Sequence, residues 1–176
     1  MSKTSIFEQL FSLRLGLSNN LIELQTCDET RHACDLLAGQ ASQSLHIFTR
    51  ELDPLLYDRR AFLEEIARYC RQTSIVNVRI LLQDPVRPVR EGHRLIDLCR
   101  RISSKIEIRQ PHPDYRNWNE AFLIADSCGF VHRKFADRNE GIANFYDPTG
   151  ARRLLDFFVE VWERSEQHPE MRRLHL

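Results

Sequence analysis

The stretch Ile75-Val-Asn-Val-Arg-Ile-Leu-Leu82 is almost continuously apolar and rich in β-branched residues, and Ala121-Phe-Leu-Ile-Ala125 is apolar throughout. A strand that shows no alternation of polar and apolar residues has to be covered on both faces, which is the pattern of a sheet flanked by helices on each side. Helical segments separate such runs. Residues 26–43 place Thr30, Ala33, Cys34, Leu37 and Ala41 on one face, with Asp28 and Glu29 in the first turn where the helix dipole favours acids. Asp58 is placed to cap a helix running to Cys70, with Phe62, Leu63, Ile66 and Tyr69 inward. Residues 91–102 turn Leu95, Leu98, Cys99 and Ile102 to the core, and Asp147-Pro-Thr-Gly150 opens a last helix with Leu154, Phe157, Phe158, Val161 and Trp162 as its apolar stripe, ended by Pro169. Strands are expected at 44–49, 75–82, 105–109 and 121–125, with a turn at 126–129 and a returning strand from Phe130. Leu52-Asp-Pro54, Asp84-Pro85 with Arg87-Pro88, and 111–115 read as loops, and Gly16 with Ser18-Asn-Asn20 breaks any helix near the start. Strands alternating with helices make the chain an α/β domain with a mixed sheet.

At 176 residues the chain is long enough for one domain with a substantial core and too short for two of ordinary size. The division expected is an N-terminal segment 1–27, a domain 28–168 and a C-terminal tail 169–176 with Arg172-Arg173. No run approaches eighteen apolar residues, so no membrane insertion is expected, and the N-terminus does not read as a secretory signal, which gives a cytoplasmic address. The formal net charge is zero, yet residues 79–116 hold nine basic residues against five acidic ones, and only three of the 25 basic residues are Lys. Arg makes forked contacts to phosphate and carboxylate, so this middle segment is where an anion site is sought. Five widely spaced cysteines without a Cys-x-x-Cys pair imply neither a zinc site nor a disulfide framework. No glycine-rich phosphate loop or Gly-x-Ser-x-Gly elbow is present, and the carboxylates lack metal-ligand spacing, so neither a cofactor nor a metal is expected.

The order of helix 28–43, strand 45–49, Leu52-Asp53, helix 59–71 and Val76-Asn-Val-Arg-Ile-Leu-Leu82 resembles the opening of a phospholipase D-like domain. Asn119-Glu-Ala121-Phe-Leu-Ile-Ala-Asp126 resembles the segment that carries that superfamily's His-x-Lys-x4-Asp signature, and Gly141-Ile-Ala-Asn144-Phe145 resembles its Gly-Ser-x-Asn element. The resemblance spans about residues 28–165 and implies one half of the superfamily's usual double domain. Short members of this kind pair as homodimers, so a homodimer is expected. The resemblance is degenerate at its centre. The position of the nucleophilic His holds Asn119 and that of the phosphate-holding Lys holds Ala121, leaving Asp126 alone of the three. An amide cannot form a phosphohistidine-type intermediate and a methyl group supplies no charge, so the superfamily's phosphodiesterase mechanism does not carry over and no catalytic residue is assigned. The hairpin between Asp126 and Gly141 is also about eight residues longer than the superfamily's spacing.

Two readings follow. The first is a non-catalytic module that keeps a phosphate-shaped cleft for nucleic acid or a nucleotide, or that binds a protein partner. The second is an enzyme with a relocated site, a phosphodiesterase or phosphotransferase using His93 or His132. His132-Arg-Lys134 is itself a His-x-Lys triplet with Asn139 five residues beyond Lys134, and strand alternation puts His132 and Lys134 on one face, as a displaced site or a solvated one. Gly92-His93-Arg94, following Arg87 and Arg90 at the start of helix 91–102, offers free N–H groups and basic side chains to an anion. The anion is expected where the strand end at Asn119 and the turn at Asn144 meet that helix start, with His93 and Arg94 supplying the charge that Ala121 lacks. Asp126, His132 and Lys134 complete the candidate ligand-binding set.

Overall fold

The computed structural model describes residues 5–72, 74 and 78–171, and shows one eight-stranded mixed sheet between two layers of helix. In chain order the elements are α1 (Ile6–Ser12), β1 (Ile22–Leu24), α2 (Cys27–Gln40), β2 (Leu45–Thr49), α3 (Pro54–Tyr57), α4 (Arg60–Gln72), β3 (Val78–Leu82), α5 (Val86–Glu91), α6 (Arg94–Arg101), β4 (Ile106–Pro111), β5 (Ala121–Ala125), β6 (Gly129–Arg133), β7 (Gly141–Asn144), α7 (Pro148–Glu163) and β8 (Ser165–Glu166). The strand order is β1-β7-β6-β5-β2-β3-β4-β8, parallel across β2, β3 and β4 and antiparallel elsewhere.

The two faces of the sheet feed two cores. Leu45 and Ile47 of β2, Ile80 of β3 and Leu123 of β5 point to the layer of α2, α4 and α6, where they meet Leu37, Phe62, Ile66 and Leu95. Phe48, Leu81, Phe122, Ile124 and Phe130 point the other way and are covered by Phe158, Val161 and Trp162 of α7. This accounts for the unbroken apolar runs, since β2 and β5 are buried at all five positions. Removing such side chains from water on both faces at about 25 cal/mol per Å² is the main force holding the sheet between its helices.

Several elements differ from the sequence reading, each for a local reason. Residues 54–57 and 86–91 form short helices rather than loops. Asp53 accepts a hydrogen bond from Leu55 N and Pro54 stands at the first position of α3, while Pro88 falls in the first turn of α5, where its missing N–H costs nothing. Gly92, in the left-handed region at φ 71°, stops α5, so α6 begins at Arg94 with His93 as its cap and not at residue 91. Asp58 ends α3 instead of capping the next helix. The last helix stops at Glu163, six residues before Pro169, because the chain turns into β8 and pairs with Gln110 and Pro111. Both ends of the described chain belong to the core. A capping box of Ser5 and Glu8 starts α1, Leu10 is buried, β1 pairs with β7, and Met171, 2% exposed, packs under α6 while Arg100 holds the carbonyl of Glu170 at 2.6 Å. The expected start of the strand at 75–77 and the Arg172-Arg173 tail fall outside the described residues.

Candidate functional site at the carboxyl end of the sheet

The chain runs β2, β3, β4 outward in one direction and then returns to place β5 on the other side of β2. Such a reversal opens a crevice outside the carboxyl end of the strand at which the order switches, here the end of β2 at Thr49. A cavity of about 220 Å³ lies there, lined by Thr49, Arg50, Glu51, Asp53, Arg87, Arg133 and neighbouring residues of the loop after β6. Asp53 caps α3, and Leu52 before it is held at φ 53°, an uncommon conformation for a branched side chain. His93 secures it: the ring is buried, its Nε2 lies 2.9 Å from the Leu52 carbonyl, and its Nδ1 accepts from Leu95 N at 3.2 Å.

Three guanidinium groups face the cavity. Arg133 is 5% exposed, with Nη1 3.5 Å from Asp53 Oδ2 and 3.1 Å from the Arg138 carbonyl. Arg50 donates from Nη2 to Asn119 Oδ1 at 3.1 Å. Arg87 is the most open, shared between Glu51 at 3.5 Å and Glu91 at 3.1 Å. Beneath them Cys34 is fully buried, and burial pushes its thiol up to about 12 although Arg133 pulls the other way, so it is no nucleophile at neutral pH. Among the described residues no three His, Cys, Asp or Glu side chains gather as metal ligands.

The residues singled out in the sequence divide between the two ends of the sheet. Asn119 reaches the cavity through Arg50, and its carbonyl accepts from Ala136 N at 2.7 Å, tying the loop before β5 to the loop after β6. His132 lies near this end but on the α7 face, with Nε2 2.6 Å from Glu120 Oε2 and its ring edge-on to Phe122. Lys134 is exposed just past β6. His93 supports the β2 loop from below, while Arg94 points to Asp58, which takes its Nε at 2.7 Å.

Asp126 and Asn144 lie at the opposite end. Asp126 follows β5, five residues or roughly 17 Å of strand from Ala121, and accepts from the backbone N–H groups of Ser42, Gln43 and Ser44 at 2.7–3.1 Å. Asn144 stands across from Phe130, three residues or roughly 10 Å from Arg133. Its amide spans Asn19 O and Tyr146 N. The long hairpin explains this separation. Residues 134–140 carry the chain round into an added strand, β7, which takes Asn144 away from Asn119 rather than back to it. The strand end at Asn119, Asn144 and the start of α6 therefore do not meet.

Arg133 is the residue that the sequence reading missed. It stands directly across from Ala121 in the β5–β6 register, and cross-strand partners share a face. A guanidinium group thus stands one strand over from Ala121. Its signal was in the sequence, because the alternation that puts His132 and Lys134 on one face sends Arg133 to the other.

A mixed sheet with this strand order, helices on both faces and a cleft at the carboxyl end of β2 is a phospholipase D-like fold. Solved structures of several kinds match it, three of them as follows. TrmBL2, an archaeal chromatin protein described as showing a novel mode of DNA binding, has a TM-score of 0.62 at 13% identity, over 86% of this chain and 55% of that one. Nuc, a phospholipase D family member from Salmonella typhimurium, has a TM-score of 0.61 at 12% identity, over 85% of this chain and 99% of that one. The phosphatidylserine synthase of Haemophilus influenzae Rd KW20 has a TM-score of 0.59 at 14% identity, over 85% of this chain and 40% of that one. The chain therefore covers nearly all of Nuc but only about half of the chromatin protein. By sequence it belongs to the family described as a domain of unknown function (DUF7931), whose model matches residues 26–174. No curated protein matches. No helix among the described residues is long and apolar enough to cross a membrane.

Proposed function

We propose that this protein is a non-catalytic phospholipase D-like module that binds the phosphate backbone of a nucleic acid strand in the cleft outside β2. The observation that carries the reading is the set of residues at that strand end. Asn119 and Ala121 hold no nucleophile and no charge, yet Arg50, Arg87 and the cross-strand Arg133 line the cavity. Arg133 is neutralised by Asp53 and sets the shape of the cleft. Arg50 and Arg87 keep donors at its mouth, and guanidinium forks match phosphate oxygens. The DNA binding of the like-folded chromatin protein is in keeping with this use of the fold. Leu55, Val86, Trp118 and Phe135 are exposed apolar side chains on the short helices and loops around the same end of the sheet, which favours a second copy of the chain packing there about a twofold axis.

Titration of a fluorescent single-stranded oligonucleotide at two salt concentrations tests the reading. Wild type is expected to bind, with affinity falling as salt rises, and Arg50→Ala with Arg87→Ala to weaken binding by about tenfold or more and flatten the salt slope. No binding, or binding indifferent to both substitutions, contradicts it. Light scattering is expected to give twice the chain mass of 20.8 kDa, and the single-chain mass would refute the dimer.

A second reading rests on the His132–Glu120 pair, since a carboxylate 2.6 Å from an imidazole nitrogen orients the ring for general-base work. Its mark is phosphodiester cleavage by wild type that His132→Ala abolishes, and the non-catalytic reading requires that no such cleavage is seen.

A further inference from the structure

A second cavity, of about 320 Å³, lies at the carboxyl ends of β3 and β4 and is bounded by β8 and the turn after it. The loop 112–119 stands between it and the cleft beside β2. Gln83, the residue after β3, forms part of its wall and is 8% exposed. Its Nε2 donates at 2.8 Å to the carbonyls of both Tyr115 and Trp118. Two carbonyl acceptors fix which way the amide faces, because the flipped amide would set oxygen against oxygen. The side-chain oxygen Oε1 is then left buried with no hydrogen-bond partner among the described residues. A buried acceptor without a donor costs about 1–3 kcal/mol.

The other groups around this cavity are complementary in kind. Gln110 gives its Nε2 to the Gln83 backbone carbonyl at 3.2 Å and keeps its own side-chain oxygen as a further acceptor. Arg116 is exposed and has no ion pair among the described residues. Arg164 is shared with Asp114 and the Tyr115 hydroxyl. His168 accepts from Glu170 N on Nδ1, so in the neutral ring the proton sits on Nε2 and that nitrogen is a donor. Proline rings at 111, 113 and 169 supply flat apolar wall. The free acceptor of Gln110, the guanidinium groups of Arg116 and Arg164 and the proline rings suit a flat heterocycle joined to an anionic phosphate that stands clear of Glu166, the one carboxylate in the lining.

We propose that this cavity binds a nucleoside 5′-phosphate, its base toward Gln83 and Gln110 and its phosphate toward Arg116 and Arg164. The site is separate from the cleft beside β2 and does not depend on what that cleft holds. Both a free mononucleotide and the 5′-phosphorylated end of a strand carry this chemistry.

Calorimetric titration with adenosine 5′-monophosphate is the test, with adenosine, ribose 5-phosphate and inorganic phosphate as partial ligands. The whole nucleotide is expected to bind saturably and each fragment at least tenfold more weakly. Arg116→Ala, at an exposed and unpaired side chain, is expected to cost about tenfold, and Gln110→Ala a similar factor, while Arg87→Ala in the other cleft leaves mononucleotide affinity unchanged. A 5′-phosphorylated dinucleotide that binds more tightly than the mononucleotide identifies a strand end as the source, and the reverse order identifies the free nucleotide. No saturable binding of adenosine monophosphate, or binding unmoved by Arg116→Ala, overturns the proposal. An oligonucleotide lost on Arg50→Ala with Arg87→Ala but kept in Arg116→Ala reports on the β2 cleft alone, so the two sites fail separately.

Discussion

Asp126→Ala is expected to destabilise the protein by about 3 kcal/mol, a fall of roughly 6–12 °C in melting temperature for a chain of this size. The carboxylate accepts from three successive backbone N–H groups, those of Ser42, Gln43 and Ser44, and from the Ser42 hydroxyl. These groups lie between α2 and β2, so one side chain ties the entrance of the central strand to the β5–β6 turn. Asp126 does this at φ 51°, a left-handed conformation that Asp tolerates better than most residues. Ala loses the acceptor and is less suited to the backbone, whereas Asn keeps one oxygen and the conformation and is expected to cost about half as much. Thermal or urea unfolding measures the effect. Ligand affinity of the folded variant is expected to be unchanged, because the residue is a strand length from the cleft. Loss of binding without loss of stability would return Asp126 to the ligand-binding set.

Acid is expected to unfold the protein earlier than its carboxylates alone would cause, through His46 and His93. His46 is the second residue of β2, 9% exposed, edge-on to Phe158 at 5.0 Å, with no partner for Nδ1 among the described residues. Burial, helped by Arg79 on the adjoining strand, lowers it from 6.5 to about 4. His93 is lowered in the same direction, chiefly by burial. Both rings are neutral in the folded chain, and both protonate more readily once it unfolds. Their contribution is therefore complete above about pH 6.5 and is lost as pH falls toward 4. For His46 the interval is worth about 3 kcal/mol. His46→Leu, which also removes the orphaned nitrogen, is expected to flatten the stability profile between pH 6.5 and 4 and to stay within about 1 kcal/mol of wild type at pH 7.5. An acid limb identical to that of wild type would show that this ring is not what titrates.

The parts of the fold that were legible in sequence are those where one local force acts alone. Ala121–Ala125 is apolar on both faces and could only be a central strand, and the helix starts read at Thr26 and Asp147 fall within a residue of where α2 and α7 begin. Asp53-Pro54 and Arg87-Pro88 misled because proline reads as a breaker, yet in a first turn it starts a helix. The site was harder because it depends on register. Asn144 matched a motif letter but ended at the wrong end of the sheet once residues 134–140 became a loop into an extra strand. Arg133 lay unremarked between two residues that were noticed. His93 and Arg94 have the look of an anion site in a linear sequence. Folding turns the first into a buried cap and pairs the second with Asp58, 36 residues away. Spacing along a strand shows which side chains share a face, but not which strand ends come together.

The central proposal is that the working surface of this fold is the carboxyl end of β2, where Arg50, Arg87 and Arg133 line the cleft. Backbone amide shifts of the labelled protein, followed through titration with a short single-stranded oligonucleotide, test it most directly. The account expects the perturbed amides to cluster at Thr49–Asp53, Arg87, Asn119 and Arg133–Asp137, with Ser42–Ser44, Asp126 and Asn144 unmoved. Shifts centred on the Asp126–Asn144 end, or spread evenly over the surface, would contradict it.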